Sequence, residues 1–170
     1  SAALSNSPIG DVMSSHSLKG RVAVVTGAAS GIGEALARQL AAGTRIASHD
    51  LVLVARTVER LEVVAKEVTG LGRRALVVGA DITDDEQVAN VVARTTEEFG
   101  KADVLINNAF RVPSMKPFAN TTFEHMRDAI ELTVFGALRM TQGFTPALEA
   151  AKGSVVNVNS MVVRHSQAKY

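Results

Sequence analysis

Five short apolar runs, rich in β-branched residues, punctuate the chain: Arg21-Val22-Ala23-Val24-Val25, Leu51-Val52-Leu53-Val54-Ala55, Ala75-Leu76-Val77-Val78-Gly79, Val104-Leu105-Ile106 and Val155-Val156-Asn157-Val158. The second, third and fourth are apolar on both faces instead of alternating, which predicts parallel strands covered by helices on each side. Between the runs the pattern takes a helical period. Glu34 to Ala42 sets Leu36 and Leu40 four apart, Val58 to Val68 carries Leu61, Val64 and Val68, and Asp85 to Phe99 carries Val88, Val91, Val92 and Phe99. Thr83 or Asp84 can cap the last of these, with acids in its first turn. A longer helical region is expected from Thr122 to about Ala151, with Pro146 marking a bend or a new turn. Strand and helix in strict alternation predict an α/β fold, a doubly wound Rossmann-type parallel sheet with five strands in three α/β/α layers and right-handed crossovers. There is no internal repeat and no sign of a second domain. The folded domain is expected over residues 18–170, after a flexible tail over 1–17.

The turn after the first run carries the first chemistry. Thr26-Gly27-Ala28-Ala29-Ser30-Gly31-Ile32-Gly33 lies between a predicted strand and a predicted helix. That order sets free backbone N–H groups and a positive helix end beneath a pyrophosphate. Gly27 permits the tight turn, Gly31 lets the backbone approach the phosphates, and Gly33 lets helix and strand pack closely. The spacing is G-x-x-x-G-x-G, not the commoner G-x-G-x-x-G, so the turn alone does not separate a dinucleotide site from a plain glycine-rich turn. A P-loop is excluded, because no Lys-Ser or Lys-Thr pair follows the glycines.

Composition narrows the partners. A length of 170 residues suits one domain with a sizeable core. A net charge of +1 creates no field that would draw in nucleic acid or an anionic membrane surface, so any anion must be held locally. Cysteine is absent, which removes disulfides, thiol catalysis and zinc–thiolate sites and agrees with an expected cytoplasmic setting. No apolar run approaches the roughly 20 residues that span a bilayer. His16, His49, His125 and His165 lack metal-ligand spacing, so no metal is expected. Ser1 to Ser17 has neither a basic n-region nor a compact apolar h-region and is not read as a signal peptide. Gly43 should end the first helix, leaving an unusually long connection, Thr44 to His49, at the end of the sheet away from the crevice.

In a doubly wound sheet the ligand crevice forms outside the carboxyl ends of the strands. Past the second strand, where an NAD site would place an acid for the ribose 2′-OH, stand Ala55 and Arg56. Asp50 is no substitute, since it begins the strand, roughly 15 Å from the carboxyl end at about 3.3 Å per residue. A small residue followed by a guanidinium suits a 2′-phosphate, which selects NADP in preference to NAD. Past the third strand Asp81 and Ile82 present a carboxylate where an adenine amino group could be received. Past the fourth, Asn107 and Asn108 set two amides at the sheet edge. Past the fifth, Ser160 places a hydroxyl facing the reacting end of a cofactor.

T-G-x-x-x-G-I-G, the Asp-Ile pair, N-N-A and V-N-V-x-S, following successive strands in this order, resemble the short-chain dehydrogenase/reductase family, from Leu18 to the last residue. The resemblance implies that Gly27, Ser30, Gly31, Ile32 and Gly33 line the pyrophosphate. It implies that Asp81 and Ile82 contact adenine, that Asn107 and Ala109 contact the inner riboses, and that Ser160 hydrogen-bonds the substrate carbonyl or hydroxyl. The implied activity is hydride transfer between a nicotinamide and a small carbonyl or alcohol substrate, with a homo-oligomer expected for the full-length protein.

Three departures accompany the match. Phe110 stands where N-N-A-G has glycine, and Thr133 stands where an N-x-x-G motif has its catalytic Asn. The family's acid–base pair, Y-x-x-x-K, has no counterpart, since the chain ends at Tyr170, ten residues past Ser160, with Lys169 on its wrong side. The catalytic Tyr is therefore expected just beyond this terminus, and the chain by itself is expected to be inactive. Two other readings stay open: a non-catalytic dinucleotide-binding module, and an S-adenosylmethionine enzyme on the same fold. The second is disfavoured because that cofactor also calls for an acid where Ala55 and Arg56 stand.

Overall fold

The computed structural model of the chain describes residues 20–43, 49–111 and 118–160. The tail, the connection Thr44 to Ser48, Lys169 and Tyr170 lie outside the described residues. Five parallel strands form one sheet: β1 (Arg21–Thr26), β2 (His49–Ala55), β3 (Ala75–Gly79), β4 (Val104–Asn107) and β5 (Ser154–Asn157). Their spatial order is β3-β2-β1-β4-β5. The chain thus steps outwards from β1 to β3, then returns to the other side of β1 at β4. The reversal makes the carboxyl ends of β1 and β4 the switch point where the crevice opens.

Period-two alternation along the strands divides the core in two. Val22, Val24, Val52, Val54 and Leu105 face α3 (Asp85–Phe99) and α5 (Ala137–Ala151), packing on Val88, Val91, Met140 and Phe144. Their neighbours Ala23, Val25, Leu51, Leu53 and Ile106 face α1 (Gly31–Ala42) and α2 (Val58–Gly70), packing on Ala37, Leu61, Val64 and Val68. Strands buried on both sides must be apolar at every position, which is why β1, β2 and β4 read as unbroken apolar runs. The sheet edges differ: all four residues of β5 are exposed, and β3, expected to be covered on both faces, is mostly half-buried because it stands at the sheet edge.

Several local expectations are corrected. The helix after the glycine turn starts at Gly31, so Gly31 and Gly33 belong to its first turn. His49 is the first residue of β2, not the last of the connection, and pairs in register with Arg21. Asp84, not Thr83, caps α3, accepting from Glu86 N–H and Gln87 N–H. The helical region expected from Thr122 to about Ala151 is present, but not as one α-helix: α4 (Phe123–Ile130), capped by Thr122, passes into a π-helical segment, Glu131–Gly136, before α5. Pro146 does not start a new turn but lies inside α5. It is exposed, as is Gln142 one turn earlier, whose carbonyl loses its helical donor to the proline ring.

His49 supplies a stability prediction at the far end of the sheet. It is 3% exposed, and its Nδ1 has no partner. Burial pushes its pKa below the ordinary value, Arg21 adds to the depression, and the Leu40 hydrogen bond and Asp103 carboxylate oppose it. The unfolded chain therefore binds the proton first. Stability is level above about pH 6.5 and falls as pH drops from there towards the depressed folded value. Urea midpoints measured between pH 7.5 and 5.5 should decline in the wild type and flatten in His49→Gln. Parallel slopes would remove His49 as the cause.

Candidate functional site

The carboxyl end of β1 is built around one hydroxyl. Thr26 is fully buried, and its Oγ1 donates to the Ile106 carbonyl (3.3 Å) and accepts from the N–H groups of Asn108 and Ala109 (3.0 Å each). The Asn108 amide returns two bonds, to the carbonyls of Thr26 (3.0 Å) and Gly27 (3.4 Å). Ala28 N–H donates to Val54 O at 3.2 Å, which ties the turn to β2 as well. The glycine turn is thereby fixed to strands on both sides.

Each glycine of the turn has its own backbone or contact requirement. Gly27 adopts φ +66°, and a Cβ there would stand 2.9 Å from Asn108 Nδ2. Gly31 adopts φ +57° in open space, so its requirement is conformational. A Cβ on Gly33 would overlap the Gly27 carbonyl oxygen and stand 2.5 Å from Asn108 Nδ2, so here contact, not dihedral angle, requires glycine. Ser30 occupies the N-cap of α1 in extended conformation, yet its side chain makes no cap hydrogen bond. Asp84 and Thr122 do cap their helices. The first turn of α1 thus keeps N–H groups for an external acceptor.

Around this turn lies a cleft of about 280 Å³. Gly27, Ser30, Gly31 and Ile32 form one wall, Arg56 follows β2, Asp81 and Ile82 follow β3, and Ala109 follows β4. Three expected site residues do not line this cleft. Gly33 is buried behind the turn, in its packing role. Ser160 is exposed past β5, its N–H on Asn159 Oδ1 at 2.8 Å, and does not line the cleft. Asn107 is turned away: its amide donates to Thr141 Oγ1 (3.1 Å) and Asn157 Oδ1 (3.0 Å). The reason is strand parity. Leu105 faces α3 and α5, Ile106 faces α1, and so Asn107 again faces α5 while Asn108 returns to the glycine turn.

Asp81 is held by its surroundings. Its Oδ1 accepts from Thr83 N–H (3.0 Å) and Thr83 Oγ1–H (2.8 Å), and its own N–H donates to Gln87 Oε1 (2.8 Å). Gln87 is fixed in turn through Nε2 to Asp84 Oδ2 at 3.0 Å. Donation from the Gln87 backbone first, then from its side chain and from Glu86 N–H, holds the Asp84 carboxyl below its ordinary range. The second oxygen of Asp81 stands 3.9 Å from Arg56 Nη1. Ile82 is buried under the π segment, where a Cβ on Gly136 would meet its Cγ1 at 2.8 Å. Thr133, in the same segment, accepts from Arg111 N–H at 3.2 Å.

Sequence reasoning gave Thr26 no role and missed Leu132, which lines the cleft. Both had a signal: Thr26 opens the glycine motif, and Leu132 immediately precedes Thr133. Phe110, 65% exposed, also lines the cleft, so the departure from N-N-A-G adds an aromatic wall. Among the described residues no group of His, Cys, Asp and Glu could hold a metal ion, and no helix is long and apolar enough to cross a membrane.

The groups present fit the adenosine and pyrophosphate part of a dinucleotide: uncapped helix amides, a glycine-rich turn, a guanidinium donor and a carboxylate acceptor around one cleft. Known proteins agree. The chain is 39% identical over 149 residues to a cis-4-hydroxycyclohexanecarboxylate dehydrogenase of Sinomonas cyclohexanicum, covering 87% of this chain and 58% of that one. It superposes with TM-score 0.82 and 33% identity on L-sorbose reductase from Gluconobacter frateurii complexed with NADPH and L-sorbose, covering 91% of this chain and 57% of that one. NAD+-bound xylitol dehydrogenase gives TM-score 0.83 at 27% identity, covering 89% and 57%. The chain therefore spans little more than half the length of such relatives. The family model described as short chain dehydrogenase matches residues 21–170, and with this sheet, turn and motif order the chain belongs to the short-chain dehydrogenase family.

Proposed function

We propose that the protein carrying this chain is an NADP-preferring oxidoreductase that transfers a hydride between the nicotinamide and a small carbonyl or alcohol substrate. The observation carrying the cofactor preference is the end of β2, where the cleft meets Ala55 and an Arg56 guanidinium and the strand's carboxyl end offers no carboxylate. Asp50, the acid of this strand, lies at its other end, where it accepts from Arg74 N–H (3.0 Å) and Nε (3.1 Å). The bound nicotinamide supplies the hydride chemistry. The chain's own residues bind and orient: the amides of α1 and Ser30, Gly31 and Ile32 receive the pyrophosphate, and Asp81 and Ile82 bound the adenine. Ala109 borders the ribose region, and Phe110 excludes water from the same wall. Ser160 hydrogen-bonds the substrate oxygen.

A second reading has its own support. Thr133 offers a hydroxyl, already accepting from Arg111 N–H, where the family motif has an amide, which favours a dinucleotide-binding module without turnover. Full-length protein mixed with NADPH and a panel of aldehydes and ketones is expected to oxidise the cofactor, followed at its near-ultraviolet absorbance. Tight NADPH binding with no turnover on any carbonyl would establish the binding module instead. Tight binding of S-adenosylmethionine in place of either nucleotide would sink both.

A further inference from the structure

Arg56 and Asp81 line two adjoining cavities at once: the main cleft and a second of about 150 Å³ reached by Thr83 and Arg111. The two partners differ in freedom. Asp81 is anchored by Thr83 on one oxygen and by Gln87 on its backbone, which leaves only Oδ2 aimed at the guanidinium. Arg56 has a side chain 62% exposed, and its Nη1 stands 3.9 Å from that oxygen, too far for a hydrogen bond. The guanidinium thus has electrostatic attraction to Asp81 without committing its fork of donors.

We propose that Arg56 and Asp81 form a latch in which the fixed Asp81 competes with the cofactor's 2′-phosphate for the movable Arg56, making Asp81 a determinant of NADP(H) against NAD(H) preference. The proposal rests on the reading of Arg56 as the 2′-phosphate contact. A phosphate can take two parallel N–H bonds from the guanidinium at hydrogen-bond distance, whereas Asp81 takes none, so the phosphate draws the side chain away. NAD(H) lacks the phosphate and leaves the pair closed. Asp81 therefore acts through Arg56 as a positioning residue for the 2′ group. The negative charge of Asp81 lowers the gain that Arg56 delivers, because part of the attraction is spent in the free protein. Whatever Asp81 contributes to adenine is common to both cofactors and cancels in their affinity ratio.

The test is a double-mutant cycle read as the ratio of NADH to NADPH dissociation constants in full-length protein. Asp81→Asn keeps an acceptor for Thr83 and removes the charge, and should raise the ratio about 1.4- to 5-fold, the range for exposed ion pairs. In an Arg56→Ala background the same substitution should leave the ratio unchanged. Asp81→Ser, whose hydroxyl also accepts from Thr83 N–H, provides a second uncharged variant should the Asn protein fold poorly. An unchanged ratio in the Asp81 variants, with Arg56→Ala alone lowering it, would overturn the latch and leave the NADP reading intact. Persistence of the Asp81 effect without Arg56 would also overturn it, in favour of direct repulsion of the phosphate. An Arg56→Ala ratio equal to that of the wild type would overturn the NADP reading and the latch together.

Discussion

Replacing Thr26 by Val is expected to destabilise the protein by about 2–6 kcal/mol and to weaken nucleotide binding. Val has nearly the shape of Thr, so packing at this fully buried position is preserved and the loss is one of hydrogen bonds. Without Oγ1 the N–H groups of Asn108 and Ala109 lose their acceptor and the Ile106 carbonyl loses a donor. Each buried group left unsatisfied costs about 1–3 kcal/mol, and two donors are stranded at once. A domain has only about 5–15 kcal/mol to lose, so urea unfolding should show a large fall in midpoint. The binding loss follows because Asn108 also holds the Thr26 and Gly27 carbonyls, and with them the turn under the pyrophosphate. Thr26→Ser retains the hydroxyl, loses only a methyl worth about 0.8 kcal/mol, and should keep NADPH binding. A Val variant within about 0.5 kcal/mol of wild type, the range of an ordinary surface substitution, would show that the hydroxyl is not the hub.

Arg56→Ala should cost NADPH about ten- to a hundredfold in affinity while leaving NADH almost unchanged. A hydrogen bond to a charged group is worth about 1.5–3 kcal/mol, and each 1.4 kcal/mol is a factor of ten. The side chain is 62% exposed, so the effect should shrink as salt is added. Ala55→Asp, at the cleft-lining residue beside it, should turn the preference towards NADH, since its carboxylate repels the phosphate and can accept the ribose 2′-OH. Titration of both cofactors into wild type and variants, by fluorescence or calorimetry, measures each ratio. A wild type that binds NADH as well as NADPH would discard the role given to Arg56 and leave the fold and family untouched.

The layers and the crevice were legible because they rest on periodicity and on residues with special backbone freedom. Unbroken apolar runs in β2, β3 and β4 announce burial on both faces, which holds for β2 and β4 but not for the edge strand β3, and alternation with helices announces a parallel sheet. Gly27 and Gly31 announce a turn that side chains would forbid, and both carry the positive φ this requires. Legibility failed where a residue type is compatible with several surroundings. Pro146 signals a missing N–H, but only its exposed position on α5 decides that the helix continues past it. The π segment over Glu131–Gly136 has no period of its own in the sequence; it accompanies the close approach of Gly136 to Ile82, a contact between distant parts of the chain.

By itself the sequence determined the sheet, its parallel strands, the glycine turn at the end of β1, the charge at the end of β2 and the family, because each depends on local pattern or on residues named in order. Only the tertiary structure decided which of two adjacent amides serves the site. Asn107 and Asn108 are chemically identical, and strand parity together with the placement of α1 and α5 sends the first to Thr141 and Asn157 and the second to the glycine turn. It likewise joined Arg56 to Asp81, 25 positions apart in the chain, at 3.9 Å across the mouth of one cleft. Side-chain direction and charge separation are properties of packed elements, and a sequence carries them only once the register between those elements is fixed.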